Sequence, residues 1–480
     1  MDGERPIAHI RLMPPVQIVR RAQRVAAALL LALPTGARAQ TPNRAALLAS
    51  LDSIITTEMA ARKWPSVAVM LVRGRDTVLN KAYGKADLEL DTPARVDGIY
   101  WIGSVTKQFV AAEILKLAER GALSLDDSIG KWVSDLPAWW RPVGLRELLW
   151  HTSGIASYTG QPRAPAALIR AGNPVDSTLA LVRDVPPDFP RGSNMLYNNT
   201  GYILLGRVIE IATAKSLGAA LTDDLFTPLG LSHMSYCNLT ALVPGRVGGY
   251  ARVGTTVQRA LLWWPHMAGG AGALCGTVGD LVAWSQALHG GRVLSPSSYA
   301  TMTAAGVLAD GTPLRYGMGL LRTEVAGRRA YQHTGGIAGF TTWLAYLPDD
   351  SVHVAMTLNL LAGSERPSLA GVKVVERLLG ARAQPAPVVL SATTRRSLVG
   401  TYGEAPRQAI ALEDSTGALR LAALGAPPTA LVYRGADGAT ERFTIGDGTL
   451  VRFERPRAGQ PPARVHLDGG TMLLTMDRKP

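Results

Sequence analysis

Ser104 and Lys107, in the run Ser104-Val105-Thr106-Lys107, have the side-chain types that acyl transfer needs. Residues at i and i+3 share one face of a helix, so a hydroxyl and an amine at this spacing can meet. A serine hydroxyl is a poor nucleophile until a neighbour takes its proton. An amine in a dry, cation-crowded pocket can take it, because desolvation and like charge lower its pKa. If the run opens a helix, the positive end of the helix dipole favours a developing alkoxide and disfavours an ammonium. Four residues are too short a pattern to stand alone in a chain of 480, so the reading needs partners elsewhere.

Two later stretches carry complementary groups. In Tyr197-Asn198-Asn199 the phenol and the second amide lie two residues apart and would point the same way along an extended segment. A phenol in a cationic pocket relays a proton, and an amide binds both a substrate carbonyl and an ammonium. In His333-Thr334-Gly335-Gly336 the paired glycines strip side chains from a strand, which suits a substrate lying against the backbone. His151, in Leu148-Leu149-Trp150-His151-Thr152-Ser153-Gly154, invites a hydrolase reading because a serine follows closely. Near neighbours in sequence do not face each other on a helix, however, and a loop histidine is more often structural. The two cysteines, Cys237 and Cys275, either pair in an oxidising compartment or sit reduced in the core, and neither belongs to a metal-ligand set.

The elements that would position these groups can be read in chain order. Apolar spacing predicts an amphipathic helix from Arg44 to Ala61, then strands Ser66 to Arg73 and Thr77 to Lys81 around a Gly74-Arg75-Asp76 turn. Tyr100-Trp101-Ile102 reads as a strand-like approach to Ser104, and Val110, Ile114 and Leu117 with Gly121 as a stop give a helix of about four turns. Trp132, Trp139 and Trp140 fit the core better than a pocket wall. A short helix, Leu145 to Trp150, precedes His151, and residues 158–190 read as a surface excursion able to roof a pocket. Thr200 to Ile211 is an apolar helix. The glycine-rich Ala268 to Gly276 lacks a phosphate-loop or dinucleotide arrangement and implies backbone packed on backbone. Thr277 caps a helix to Leu288, and alternating β-rich runs around Pro348-Asp349-Asp350 predict antiparallel strands. A helix from Ser368 to Leu379 closes this part, and Ala383 to Pro387 reads as a linker. Beyond it, short runs such as Ile410 to Leu412, Ala418 to Leu421, Thr429 to Tyr433, Thr449 to Phe453 and Val465 to Leu467 predict a small all-β barrel or sandwich.

Taken together and in this order, the blocks at 104–107, 197–199 and 333–335 resemble the penicillin-recognising serine hydrolases. That family includes class C β-lactamases, D-alanyl-D-alanine carboxypeptidases, D-aminopeptidases and β-lactamase-like carboxylesterases. The stretches 148–154, Tyr202-Ile203-Leu204-Leu205-Gly206 and Gly339-Phe340 add to the likeness, which runs from about residue 45 to 380. The resemblance implies an α+β β-lactamase/transpeptidase-like fold, with an antiparallel sheet flanked by helices and an all-α region. Residues 40–382 would form the hydrolase domain, and 383–480 a lipocalin-like barrel of the kind appended to such enzymes. It also implies Ser104 as nucleophile, Lys107 as proton acceptor and Tyr197 as the shuttle to the leaving group. Asn199, His333, Thr334, Gly335 and Gly336 would bind substrate, with the backbone N–H groups of Ser104 and Gly336 as the oxyanion hole. No metal or cofactor is implied. Class C β-lactamases typically carry Lys in the third block, where this chain has His333, and a histidine anchors a carboxylate only when protonated.

Composition narrows the alternatives. The formal charge is +13, but residues 1–39 hold six Arg against one Asp and one Glu, which leaves +9 spread along the rest without a basic run. A nucleic-acid partner is therefore not indicated, and the expected partner is a small molecule or peptide with a scissile acyl group. Arg20, Arg21 and Arg24 before an apolar run from Val25 to Leu33, then Ala37-Arg38-Ala39, read as a secretory signal peptide cut after Ala39. Export to the periplasm or medium follows, with no stable membrane span after cleavage; the true start is Met1 or Met13. No G-x-S-x-G or H-E-x-x-H occurs, which disfavours an α/β-hydrolase or a zincin. Esterase or D-aminopeptidase activity, and a catalytically inactive ligand-binding relative, remain as alternatives to lactam or peptide hydrolysis.

Overall fold

The computed structural model describes residues 44–480 apart from 165–166, 168–174, 362–365, 383–388, 447 and 458. The expected signal peptide and the expected linker at 383–387 lie outside the described residues. The organising element is a seven-stranded antiparallel sheet. Its strands run in the order Leu321–Val325, Arg328–Ile337, Phe340–Leu347, Val352–Leu358, Ser66–Arg73, Asp76–Asp87 and Thr92–Pro93. The strand Ser66–Arg73, beside the central Val352–Leu358, is apolar on both faces because both are covered. Val67, Val69 and Leu71 pack with Leu51 and Ile55 of the helix Arg44–Arg62 and with Val374 and Val375 of the helix Pro367–Leu379. Ala68 and, past a bulge at Leu71/Val72, Val72 turn into the larger core beneath the helical region. Each such fully buried aliphatic contributes about 1.5–3 kcal/mol relative to exposure.

The helical region is built around Thr106–Glu119. The predicted stripe of Val110, Ile114 and Leu117 is buried, but so is almost every other residue from Thr106 to Leu115. A helix buried all round is a central one, and here Phe109 stacks on Trp284 at 4.0 Å while helices Asn199–Thr213 and Pro265–Gly272 pack beside it. The α-helix starts two residues later than the sequence implies, since Gly103–Val105 forms a 3₁₀ turn with Gly103 at φ +53°. Thr277 caps Val278–His289 as expected, through a reciprocal pair with Asp280. The described residues of 158–190 are less peripheral than expected. Tyr158, Leu179, Val182 and Phe189 are buried, because this segment carries enough apolar side chains to join the core. Trp140 is a core residue, while Trp139 is 36% exposed.

The C-terminal region is all-β, but the described strands do not close a barrel. They form a four-stranded sheet from Gly400–Glu404 to Thr429–Ala430 and five strands of a six-stranded sheet, from Val432–Asp437 to Met472–Asp477, over a core of Leu421, Phe443, Val451, Phe453 and Val465. Closure fails at both ends. Thr429–Ala430 and Val432–Asp437 follow each other without pairing, and Gly400–Glu404 meets the last strand, Met472–Asp477, only at the bridge Tyr402–Arg478. The outer edge of Met472–Asp477 is instead taken by Met195–Leu196, from the segment that leads into Tyr197. The chain from Ala45 to Pro480 packs as one unit. Among the described residues no helix is long and apolar enough to cross a membrane.

Candidate active site

The strand Tyr100–Trp101 and the 3₁₀ turn place Ser104 directly ahead of the central helix, so that Lys107 Nζ lies 3.2 Å from Ser104 Oγ. Nζ also donates to Asn199 Oδ1 at 2.8 Å and to the Ala271 carbonyl at 2.7 Å. Lys107 is fully buried, and burial alone drives its pKa well below the usual lysine value. Of the dry, cation-crowded pocket expected, dryness is what lowers the amine's pKa. The faces of Tyr197 and Tyr202, 4.7 and 5.3 Å from Nζ, favour the ammonium, by about 2 kcal/mol when desolvated. Full burial acts the other way by up to about 3–5 pKa units, and so wins. A neutral amine has two N–H bonds, matching Asn199 and Ala271, and a lone pair left for the Ser104 hydroxyl.

Tyr197 and Asn199 converge on this amine from the entry to the helix Asn199–Thr213. Asn198 is its N-cap, accepting from Gly201 N–H at 2.8 Å. Asn199 is the first helical residue, and its Nδ2 donates to Thr159 Oγ1 at 3.0 Å, which leaves Oδ1 facing Lys107. The Tyr197 hydroxyl is buried without a hydrogen-bond partner, and burial holds the phenol protonated, with its pKa well above 10 against a smaller downward pull from Ser104. A phenol in that state can give a proton but not take one. The segment is held from two sides: Leu196 N–H donates to the His151 carbonyl, and Tyr197 N–H to the Thr471 carbonyl at the start of the last strand.

The third block lies across the turn from Ser104. A Cβ on Gly335 would sit 1.9 Å from Ile102 O and 3.2 Å from Ser104 N, and one on Gly103 would sit 3.0 Å from Gly336 N. Both positions need glycine because the strand Arg328–Ile337 runs against the Ser104 turn, bringing the N–H groups of Ser104 and Gly336 close together. His333 is buried, with Nδ1 2.6 Å from the Thr334 carbonyl and Nε2 2.9 Å from Tyr316 Oη. A carbonyl only accepts, so Nδ1 carries the proton and Nε2 accepts from the phenol. Burial, and then Lys107, lower the His333 pKa to about 3. The expectation that this histidine anchors a carboxylate when protonated therefore does not fit: it is neutral and both nitrogens are engaged. Thr334 alternates to the exposed side of the strand, and it gives the cluster its carbonyl rather than its hydroxyl.

Three contributors were not read from the sequence. Ala271 acts through a backbone carbonyl, which leaves no side-chain signature. Its stretch does pack backbone on backbone as expected, since a Cβ on Gly270 would lie 2.3 Å from Tyr202 O. Tyr316 and Thr159 sit in loops far from the three blocks, and only folding brings them in. Among the described residues no group of His, Cys, Asp and Glu could hold a metal ion. Cys237 and Cys275 are joined as a disulfide.

A sheet backed by helices, with a serine and a buried lysine at the head of the central helix, is the arrangement of the serine β-lactamase-like hydrolases. The chain belongs to the Beta-lactamase family, whose sequence pattern matches residues 51–375. It is 25% identical to the D-aminopeptidase of Gluconobacter oxydans (strain 621H) over 74% of this chain and 66% of that protein, so it spans just under two thirds of that relative's length. It is 32% identical to penicillin-binding protein 4 of Amycolatopsis lactamdurans over 64% of this chain and 84% of the relative. The crystal structure of D-amino acid amidase from Ochrobactrum anthropi SV3, solved with L-phenylalanine amide, is similar at TM-score 0.61 and 26% identity, over 69% of this chain and 97% of the other.

Proposed function

We propose that this protein is an exported amide or peptide hydrolase that works through an acyl-enzyme on Ser104, closest in substrate type to the D-aminopeptidases and D-amino-acid amidases. The observation that carries the chemistry is the fully buried Lys107, whose Nζ lies 3.2 Å from Ser104 Oγ while it donates to Asn199 Oδ1 and the Ala271 carbonyl, and whose pKa burial holds well below the usual lysine value. Ser104 Oγ adds to the substrate carbonyl as its proton passes to Lys107 Nζ, and the oxyanion is received by the N–H groups of Ser104 and Gly336. Collapse breaks the C–N bond, and the amine leaves with a proton delivered through Tyr197. Water then cleaves the acyl-serine ester, returning Ser104 and the free acid.

The substrate preference rests on the third block. Burial pushes Lys107, His151 and His333 all towards their neutral forms. These bases offer no fixed charge for the carboxylate that a β-lactam or a C-terminal peptide presents. The likeness to a penicillin-binding protein at 32% identity favours a second reading, a penicillin-sensitive carboxypeptidase. Export is supported by the A-x-A site and by the disulfide, which suits an oxidising compartment. The test is ammonia release from D-alaninamide and D-phenylalaninamide and ring opening of benzylpenicillin, with Ser104→Ala as control. Amide turnover lost in the control is the expected result. A long-lived penicilloyl adduct on Ser104 without turnover of amides would reject the amidase reading in favour of the second.

A further inference from the structure

We propose that His151 is a positioning residue that holds Tyr197 in place to protonate the leaving amine, an inference that rests on the acyl-transfer reading above. His151 grips the segment on both sides of the tyrosine. Its carbonyl accepts from Leu196 N–H at 3.1 Å, and its ring Nδ1 accepts from Asn198 N–H at 3.1 Å. The imidazole lies 4.5 Å from the Tyr197 ring, centroid to centroid, and also touches Tyr202 and Tyr316 at 5.2 and 4.7 Å. Tyr197 is thus fixed by main-chain bonds to its neighbours and by an imidazole packed against its ring at a tilt of 44°. Asn198, bonded by the same imidazole, caps the helix on which Asn199 sits, so one side chain sets both groups that face Lys107.

The backbone at His151 is set by the end of the helix Leu145–Leu149. Its φ is +62°, the left-handed residue of a Schellman turn in which His151 N–H donates to the Leu148 carbonyl and Thr152 N–H to the Glu147 carbonyl, so the helix terminus fixes where the imidazole starts. The ring does not itself transfer protons to substrate: Nδ1 is occupied by the Asn198 amide, and the buried Nε2 has no partner. Burial and the nearby Lys107 and His333 keep it neutral, which preserves Nδ1 as an acceptor.

Two substitutions separate the acceptor from the ring. In His151→Asn, the amide oxygen stands where Nδ1 stood and the left-handed backbone is tolerated. In His151→Phe, the ring remains and the acceptor is lost. Each full-length variant is assayed for kcat/KM on D-alaninamide, whose ammonia must leave with a proton, and on p-nitrophenyl acetate, whose nitrophenolate leaves without one. The Phe variant should lose about 10²-fold on the amide and much less on the ester, while the Asn variant stays near wild type on both. Equal loss on both substrates in the Phe variant, or no loss, overturns the inference. So does amide-selective loss in the Asn variant, which would make the imidazole itself a proton carrier. If the Phe variant does not fold by thermal melt, the Asn variant still decides, since retained amide turnover supports the inference and amide-selective loss rejects it. A wild type that turns over neither substrate and is not labelled at Ser104 by a fluorophosphonate would instead defeat the acyl-transfer reading, and the inference with it.

Discussion

A buried amine bonded to both Asn199 Oδ1 and Ala271 O offers Ser104 a lone pair when neutral and a third N–H when charged. Only the first state can accept the hydroxyl proton, so activity should follow the titration of Lys107. Because burial lowers its pKa, the active form persists well below pH 10.5, and kcat/KM should fall as pH drops through the depressed value. Lys107→Arg keeps the charge but cannot deprotonate, so it should lose about 10²–10⁴-fold in kcat/KM. A pH series on both proteins checks this; an arginine variant of near wild-type activity would show that the residue at 107 is not the base. The types of Ser104, Lys107, Tyr197 and Asn199 were legible because each carries its chemistry in its own side chain. Ala271 was not, since a backbone carbonyl is the same in every residue. The protonation state of His333 was not legible either, since it depends on Tyr316 and on burial.

Among the elements, the strand Arg328–Ile337 lies against the turn Gly103–Val105, and the proposed oxyanion site depends on that contact. Glycine is required there by distance, because any side chain at 335 would collide with Ile102 O. Gly335→Ala should therefore push the strand off the turn, cost about 1–3 kcal/mol, and depress turnover beyond what the stability loss explains. Thermal melts alongside kcat measure both, and an alanine variant with native turnover would refute the close approach. Periodicity revealed these two elements, because strand alternation and helical spacing are local properties. It did not reveal that the first turn is 3₁₀, which follows from the fit of Gly103 against Gly335 and Gly336.

For the whole molecule, the C-terminal region bears on the site through one seam. Leu473 is buried with Met195, Leu308, Leu314 and Tyr316, and Met472 and Leu473 pair with Leu196 and Met195. Thr475 N–H donates to Asn194 Oδ1, and Arg315 reaches the Asp468 carbonyl. Leu473→Ala should cost about 2–5 kcal/mol and, because the seam carries Tyr197, lower amide turnover at temperatures where the protein is still folded. Unfolding monitored with activity tests this; lost stability at unchanged turnover would make the seam structural only.

The sequence by itself determined the family, the main elements of the hydrolase portion and the identities of the polar groups, because side-chain type and short-range spacing are written locally. The C-terminal region was less legible. The strands Gly400–Glu404, Thr440–Thr444 and Met472–Asp477 were not named, and of the barrel or sandwich expected, two sheets without a closed barrel are found. Pairing partners are chosen by tertiary fit, and here the free edge of the last strand is satisfied by Met195–Leu196 rather than by a strand of its own region. Tertiary structure alone also decided that Lys107 and His333 are dry, that Cys237 meets Cys275, and that His151 lies beneath Tyr197. Each of these depends on groups distant in the chain that only the packed core brings within reach.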